Sequence, residues 1–290
     1  MIDLLLRLYP AAYRAAHGQE IVDVHREMTA GMARAVRLRA DADLAAHALR
    51  VRLRLDSASP LGRLFALAAP FALAAAAVGS GLRLTRWYAG LVLSPAPVWV
   101  QLSAMDGAWA LYLLLSLLVC VGAIIALTGR WALGTGVAVC GLSGTMVQSV
   151  LASPLYGAGV AVPASALLSV AAVLACPPDR RGDRRLSTAA GAMAAVAWFP
   201  VVAVDTRAFG VTTDYGAWPL LVLASTGAAL ALRARSSGLR EIGAMALASP
   251  PLIAYAYTDA WLAPLPVLGI LLCLPVAVML TAFFQAVRRG

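Results

Sequence analysis

The sequence predicts an all-α protein: a polytopic bundle of about eight transmembrane helices, preceded by a small cytoplasmic helical segment. Three observations favour this fold class. The 290 residues are 61% hydrophobic and only 13% charged, whereas an ordinary soluble domain has about 25% charged residues. Ten of the 23 arginines lie in residues 1–63. The remainder of the chain consists of apolar runs long enough to cross a bilayer as helices.

Eight apolar runs are predicted to be membrane spans, because about 20 apolar residues in an α-helix cross the hydrocarbon core. Lipid offers no hydrogen bonds to the backbone, so each span must be helical. The runs cover residues 62–82, 107–128, 131–151, 157–176, 187–204, 217–232, 242–258 and 264–286. The predicted domains are therefore a cytoplasmic prefix over residues 1–60 and a transmembrane domain over residues 61–290.

The distribution of arginine predicts the orientation. With the N-terminus in the cytoplasm, twenty arginines lie in inside segments and three lie outside. The three outside arginines are Arg83, Arg86 and Arg207. This excess follows the positive-inside rule. An even number of spans then places both termini on the cytoplasmic side of the plasma membrane.

Small residues predict which spans lie at the centre of the bundle. Gly136, Cys140 and Gly144 recur every four residues in the third span, and such a stripe allows a neighbouring helix to approach closely. The fifth span is also rich in small residues. We therefore expect the third and fifth spans in the centre.

Short sequence matches raise the question of an internal repeat. The string LASP occurs at residues 151–154 and 247–250, and TRWYAG at 85–90 resembles TRAFG at 206–210. These matches fit two parallel halves of four spans each. They also fit chance matching in an alanine-rich chain, and the sequence leaves both interpretations open.

Most chemistry-bearing motifs are absent from the sequence. There is no P-loop and no HExxH motif, and the three histidines all precede residue 60. The four cysteines have no CxxC spacing that would indicate a zinc site or a redox pair. Residues 1–63 have a net charge of only +3, which does not indicate a nucleic-acid partner. The sequence therefore predicts no catalytic, cofactor-binding or metal-binding residue, and a protein that is not an enzyme.

One polar cluster remains in the predicted extracytoplasmic loops. A ligand site at this outer rim would use Arg86, Asp106, Asp205, Arg207 and Asp214. Solvated loops beside an interfacial belt of aromatic residues explain the same pattern. If the rim is a ligand site, the protein would have the alternative function of a stand-alone small-molecule transporter or a polytopic membrane enzyme.

The N-terminal segment is predicted to form two or three short helices. Pro10 suits the first turn of a helix, and Gly18 is expected to end that helix. A second helix is expected from about Gln19, and a third over residues 36–55. Sixty residues in this form make a small bundle that is marginally stable alone.

The second of these helices has two distinct faces. Ile21, Val24, Met28 and Met32 share one side by helical spacing, and we expect this apolar face to fold the segment itself. An acidic stripe on the same helix is the predicted partner-docking surface. It consists of Glu20, Asp23 and Glu27.

The stretch RLYPAAYRAAHGQEIVDVHREM resembles the N-terminal segment of many actinobacterial multi-pass membrane proteins with a permease-prefix or HAAS-like helical domain. The resemblance is limited to about residues 4–32. Residues that match the pattern are Arg7, Tyr9, Pro10, Tyr13, Arg14, Gly18 and Glu20. It implies a partner that is an ABC-type ATPase or permease, or a PadR-type regulator. The predicted function is a non-catalytic accessory, regulatory or permease-like component of the membrane.

Overall fold

The computed structural model of the protein describes residues 5–53, 55–151, 161–205, 218–234 and 238–259. Within these residues the chain forms eleven α-helices and one short 3₁₀ helix, so the predicted all-α class is confirmed. The chain divides into two compact units, Met1–Arg63 and Leu64–Gly290.

Two helices form most of the N-terminal unit: α1 over Ala11–Thr29 and α2 over Arg34–Leu53. Helix α1 begins directly after Pro10 and continues through Gly18, so the predicted break at Gly18 is wrong. The apolar and aromatic side chains around Gly18 keep the helical spacing on both sides of it, and a single glycine weakens a helix by only about 1 kcal/mol. Gly31 makes the turn between the helices with φ of 73°, a conformation that glycine adopts without strain.

Helix α3, Pro60–Leu93, begins at a well-defined N-terminal cap. The Ser59 hydroxyl accepts a hydrogen bond from the Gly62 N–H at 2.9 Å. The Asp56 carboxylate in turn accepts one from the Ser59 N–H at 2.6 Å. Pro60 occupies the first helical position, where its missing N–H costs nothing. The sequence Asp-x-x-Ser-Pro therefore fixes where this helix starts.

The far end of α3 differs from the prediction. The first span was expected to end near residue 82, but the helix has 34 residues and continues to Leu93. Its length is about 51 Å, well beyond the roughly 30 Å of a hydrocarbon core. Arg83 and Arg86 therefore lie on the helix rather than in a loop. Arginine is a good helix former, so a fall in hydropathy does not end the helix.

Seven further helices follow within the described residues after the short helix α4, Val98–Ser103. They are α5 Gly107–Leu127, α6 Trp131–Leu151, α7 Ala161–Leu174, α8 Arg184–Asp205, α9 Trp218–Arg233, α10 Leu239–Ala248 and α11 Pro250–Asp259. Within the described ranges, four helices are long and apolar enough to cross a membrane: α3, α5, α6 and α8.

The structure supports the eight predicted spans only in part. Helices α7 and α9 are apolar but have 14 and 16 residues, fewer than the roughly 20 of a straight crossing. The predicted span over 242–258 is interrupted at Ser249, where α10 ends and Pro250 begins α11. The predicted span over 264–286 lies outside the described residues, as does the start of the span over 157–176.

The centre of the second unit is α3, not the third and fifth predicted spans. In its most apolar window 67% of α3 is buried, against 33%, 28% and 22% for α5, α6 and α8. Residues 68–76 are mostly alanine and all are buried. Small side chains on every side of α3 allow neighbouring helices to approach it from all directions. This explains why α3 is central and the third and fifth predicted spans are not.

Helices α5 and α6 form a closely packed pair. A three-residue turn joins them, with Gly129 at φ of 111°. A Cβ atom at Gly134 would lie 2.1 Å from the Ala126 backbone nitrogen, so the two backbones touch there. The predicted stripe is right only at Gly144, which faces the Leu115 side chain of α5. Gly136 faces open space and Cys140 is exposed, and Gly134, Ala138 and Gly141 make the rest of the contact.

Candidate functional site

An open groove is the main surface feature of the N-terminal unit. Its volume is about 490 Å³. The lining residues are Tyr9, Tyr13, His17, Glu20, Ile21, Val24, His25, Met28, Ala40, Asp43, Leu44 and His47. They come from the segment before α1, from α1 and from α2, and they include all three histidines of the chain.

Tyr9 anchors one end of the groove. It is 3% exposed, and its hydroxyl lies 2.9 Å from His47 Nδ1 on α2. The Tyr9 ring also stacks on Tyr13, with centroids 5.4 Å apart and planes within 8°. Burial raises the pKa of Tyr9, and the neighbouring Tyr13 raises it further, so Tyr9 is a neutral hydrogen-bonding group at pH 7. These contacts attach the start of the chain to α2.

A second link joins the middle of α1 to α2. His25 Nε2 lies 3.0 Å from Asp41 Oδ1, and both side chains are largely buried, at 12% and 14% exposure. This pair holds the two helices together where apolar packing between them is sparse. Polar and aromatic contacts therefore join α1 and the residues before it to α2 on one side of the groove. The apolar side chains that line the groove are open to solvent.

The apolar face of α1 does not close on α2 as expected. Val24 is 48% exposed and Met28 is 56% exposed, and no residue of α1 is buried. The predicted helical face is right for Ile21, Val24 and Met28 but wrong for Met32, because α1 ends at Thr29 and Met32 follows the turn at Gly31. Two helices alone cover only one side of each other. The apolar side chains of α1 therefore line an open groove instead of filling a core.

The predicted docking stripe, Glu20, Asp23 and Glu27, lies at the surface of α1. The Glu20 and Asp23 side chains are 75% and 58% exposed, and Glu27 is exposed as well. Glu20 also lines the groove and lies 3.6 Å from His17 Nδ1. Of the stripe, only Glu20 borders the groove, and Asp23 lies 4.0 Å from Arg26 Nη1 on the same helix.

The predicted outer rim falls largely outside the description. Arg86 stands over the Tyr255 ring at 5.1 Å, and Asp106 precedes α5 at its exposed N-terminus. Asp205 ends α8, and its side chain is outside the described part, as are Arg207 and Asp214 entirely. The structure therefore does not place these five residues relative to one another, and the ligand site at the outer rim stays a prediction.

Glu241 is a buried carboxylate that sequence reasoning placed in a loop. It is 4% exposed, lies in the first turn of α10, and Arg240 donates to its Oε1 at 2.6 Å. Among the described residues, nothing hydrogen-bonds to its Oε2. One feature of the sequence did indicate a helical position for Glu241. It directly precedes an apolar run, where a helix would begin, and a helix N-terminus stabilises a carboxylate.

A small polar cavity lies inside the second unit. Its volume is about 20 Å³, and Ser80, Thr145, Ser165 and Ser169 contribute hydroxyl groups to its lining. Ser165 and Ser169 already donate to carbonyls of their own helix, at 2.8 and 2.7 Å. The space suits one water molecule. We interpret it as a polar packing seam between helices and not as a ligand site.

The described residues contain no group of three or more His, Cys, Asp or Glu side chains placed to hold a metal ion. Of the four cysteines, Cys120, Cys140 and Cys176 are free thiols.

The class defined by these features is a helical protein that has, among its described residues, four helices long and apolar enough to cross a membrane. A charged helical unit with an open groove precedes them. Comparisons with family models, with curated proteins and with solved structures found no match for this chain.

Proposed function

We propose that this protein is a multi-pass plasma-membrane protein, a non-catalytic accessory, regulatory or permease-like component whose N-terminal unit docks a cytoplasmic partner. The open groove of the N-terminal unit is the observation that carries the proposal. It exposes Val24 and Met28 to water although the unit has few buried apolar residues of its own. Burial of such side chains against a partner is the favourable step of association.

The shape of the groove indicates the kind of ligand. It runs between the exposed faces of two helices, and a third amphipathic helix laid into it would complete a three-helix bundle. Glu20 lines the groove, and Asp23 and Glu27 continue the negative charge along α1. A partner helix with an apolar stripe and basic flanks would complement this surface.

The orientation supports a cytoplasmic partner. Twenty arginines against three favour the N-terminal unit inside the cell. The resemblance of about residues 4–32 to permease-prefix segments favours an ABC-type ATPase or permease, or a PadR-type regulator, as the partner. In this topology the short apolar helices α7 and α9, each together with the residues that flank it, would be two of the eight predicted membrane spans.

A substitution inside the groove tests the docking. Met28→Glu places a charge on the apolar floor, and burying it would cost at least about 1.4 kcal/mol, so partner recovery should fall about tenfold or more. The measurement is quantitative mass spectrometry of proteins that copurify with the tagged full-length chain from its native membranes.

Met32→Glu is the matched control, because Met32 is 43% exposed, lies just beyond α1 and does not line the groove. The partner is the species lost with Met28→Glu and retained with Met32→Glu. Reversal of the stripe by Glu20→Arg, Asp23→Arg and Glu27→Arg should remove the same species. Identical protein profiles for Met28→Glu and Met32→Glu would show that the groove docks nothing.

A further inference from the structure

Helix α2 has a second apolar stripe, on the face opposite the groove. Leu38, Leu49 and Leu53 are 54%, 54% and 49% exposed. With Ala42 and Ala45 they follow a spacing of four, three, four and four residues, which places them on one side of an α-helix. The groove-lining residues Leu44 and His47 are on the other side. One face of α2 thus serves the groove, and the opposite face is uncovered in the described residues.

Positive charge flanks this outer stripe. Helix α2 contains five arginines and two aspartates. One of those aspartates, Asp41, already pairs with His25. Helical spacing places Arg34 and Arg52 along one edge of the stripe, next to Asp41, and Arg50 along the other, next to Asp43. Exposed leucines with arginines beside them suit a helix surface that rests on an anionic membrane, where apolar burial and attraction to lipid phosphates act together.

The connection to α3 holds this helix near a predicted membrane entry. Six residues, 54–59, separate the end of α2 from Pro60, so the chain there spans at most about 20 Å. The connection is a tight turn: Leu55 N–H donates to the Arg50 carbonyl at 2.9 Å. A Cβ atom at Gly62 would lie 1.7 Å from the Asp56 carbonyl oxygen. The last turn of α2 is therefore tethered closely to the start of the first candidate span.

We propose that α2 lies on the anionic surface of the cytoplasmic leaflet, with Leu38, Leu49 and Leu53 at the boundary of headgroups and acyl chains. The flanking arginines contact lipid phosphates, which attract basic residues next to a membrane span. The groove on the opposite face then points away from the bilayer and stays open to a cytoplasmic partner. This inference goes beyond the proposed docking and does not require that a partner exists.

Depth-dependent quenching in nanodiscs tests the proposal on the full chain. The cysteines Cys120, Cys140, Cys176 and Cys273 are replaced by alanine, a single cysteine is introduced by Leu49→Cys, and an environment-sensitive fluorophore is attached. Met28→Cys, in the groove, is the matched control. Doxyl-labelled lipid should quench the label at position 49 strongly in phosphatidylglycerol discs and should leave the fluorescence intensity of the label at position 28 unchanged.

The charge dependence separates lipid binding from other contacts. Each arginine beside an anionic leaflet contributes roughly fivefold to the surface equilibrium, so Arg50→Gln with Arg52→Gln should shift it about 25-fold towards the unbound state. Neutral phosphatidylcholine discs should give the same loss. Equal quenching at positions 28 and 49 would overturn the proposal. Quenching at position 49 that is the same in anionic and in neutral discs would also overturn it. Absence of quenching in discs with one protein copy, together with a disulfide between position 49 of two copies in proteoliposomes, would assign the stripe to a second copy instead.

Discussion

Gly134→Leu is expected to prevent the second unit from folding. A Cβ atom at Gly134 would lie 2.1 Å from the Ala126 nitrogen and 2.5 Å from the Gly122 carbonyl oxygen. Both atoms belong to the backbone of α5, so no side-chain rotation can relieve the clash. Overpacking a core costs about 1–3 kcal/mol when side chains can adjust, and here the helices themselves must separate. Fluorescence-detected size-exclusion chromatography in mild detergent should show aggregate in place of a monodisperse peak.

Gly136→Leu is the control for this experiment. Gly136 lies two residues further along α6, and a Cβ built there meets nothing within 4 Å outside the adjacent backbone of its own helix. The same leucine at Gly136 should leave the elution profile and the melting temperature close to those of the original protein. A monodisperse Gly134→Leu variant with unchanged melting temperature would show that α5 and α6 do not pack through these glycines.

Phe71→Ala should give the second large effect. Phe71 is fully buried in α3, among the alanines that the other helices surround. Truncation of a buried phenylalanine costs about 3 kcal/mol or more, because it leaves a cavity that close-packed neighbours cannot fill. The free energy of unfolding, measured by denaturant titration of the protein in mixed micelles, should fall by this amount.

Phe199→Ala makes the same chemical change at the periphery of the second unit. Phe199 lies on α8 and is 69% exposed. Its ring has few protein contacts to lose, so the free energy of unfolding should change by less than about 0.5 kcal/mol. Equal losses for Phe71→Ala and Phe199→Ala would contradict the central position of α3.

Helix boundaries were predictable wherever polar residues interrupt the apolar runs. The span predicted over 107–128 agrees with α5, and the span over 131–151 has the same bounds as α6. Asp106 marks the start of α5, and Gly129 with Arg130 forms the turn between the two helices. These residues act on the backbone locally, through helix termini and a left-handed turn, so the sequence pattern alone places them.

The end of α3 and its central position were not predictable in the same way. Hydropathy falls at Arg83, but a helix ends only where the backbone loses its hydrogen-bond partners or meets an incompatible residue. Which helix lies in the centre depends on the packing of several helices together. The run of alanine in residues 68–76 was the available signal, since it lets helices approach from every side.

The candidate site was partly predictable. The shared face of Ile21, Val24 and Met28 follows from helical spacing, and the exposure of Glu20 and Asp23 follows from their charge. Whether the apolar face would close on α2 or remain open depends on the angle between two helices. That angle is set by long-range contacts such as those of Tyr9 with His47 and His25 with Asp41, which no local pattern encodes.

We propose that the chain crosses the membrane several times with its N-terminal unit in the cytoplasm. Reporter fusions that are active only outside the cytoplasm test it most directly, at successive positions along the full chain. We predict activity after residues 95, 155, 210 and 260, and silence after residues 130, 182 and 236. Activity at residue 182 would rule out this topology, because the four arginines at positions 180, 181, 184 and 185 would then lie outside the cell.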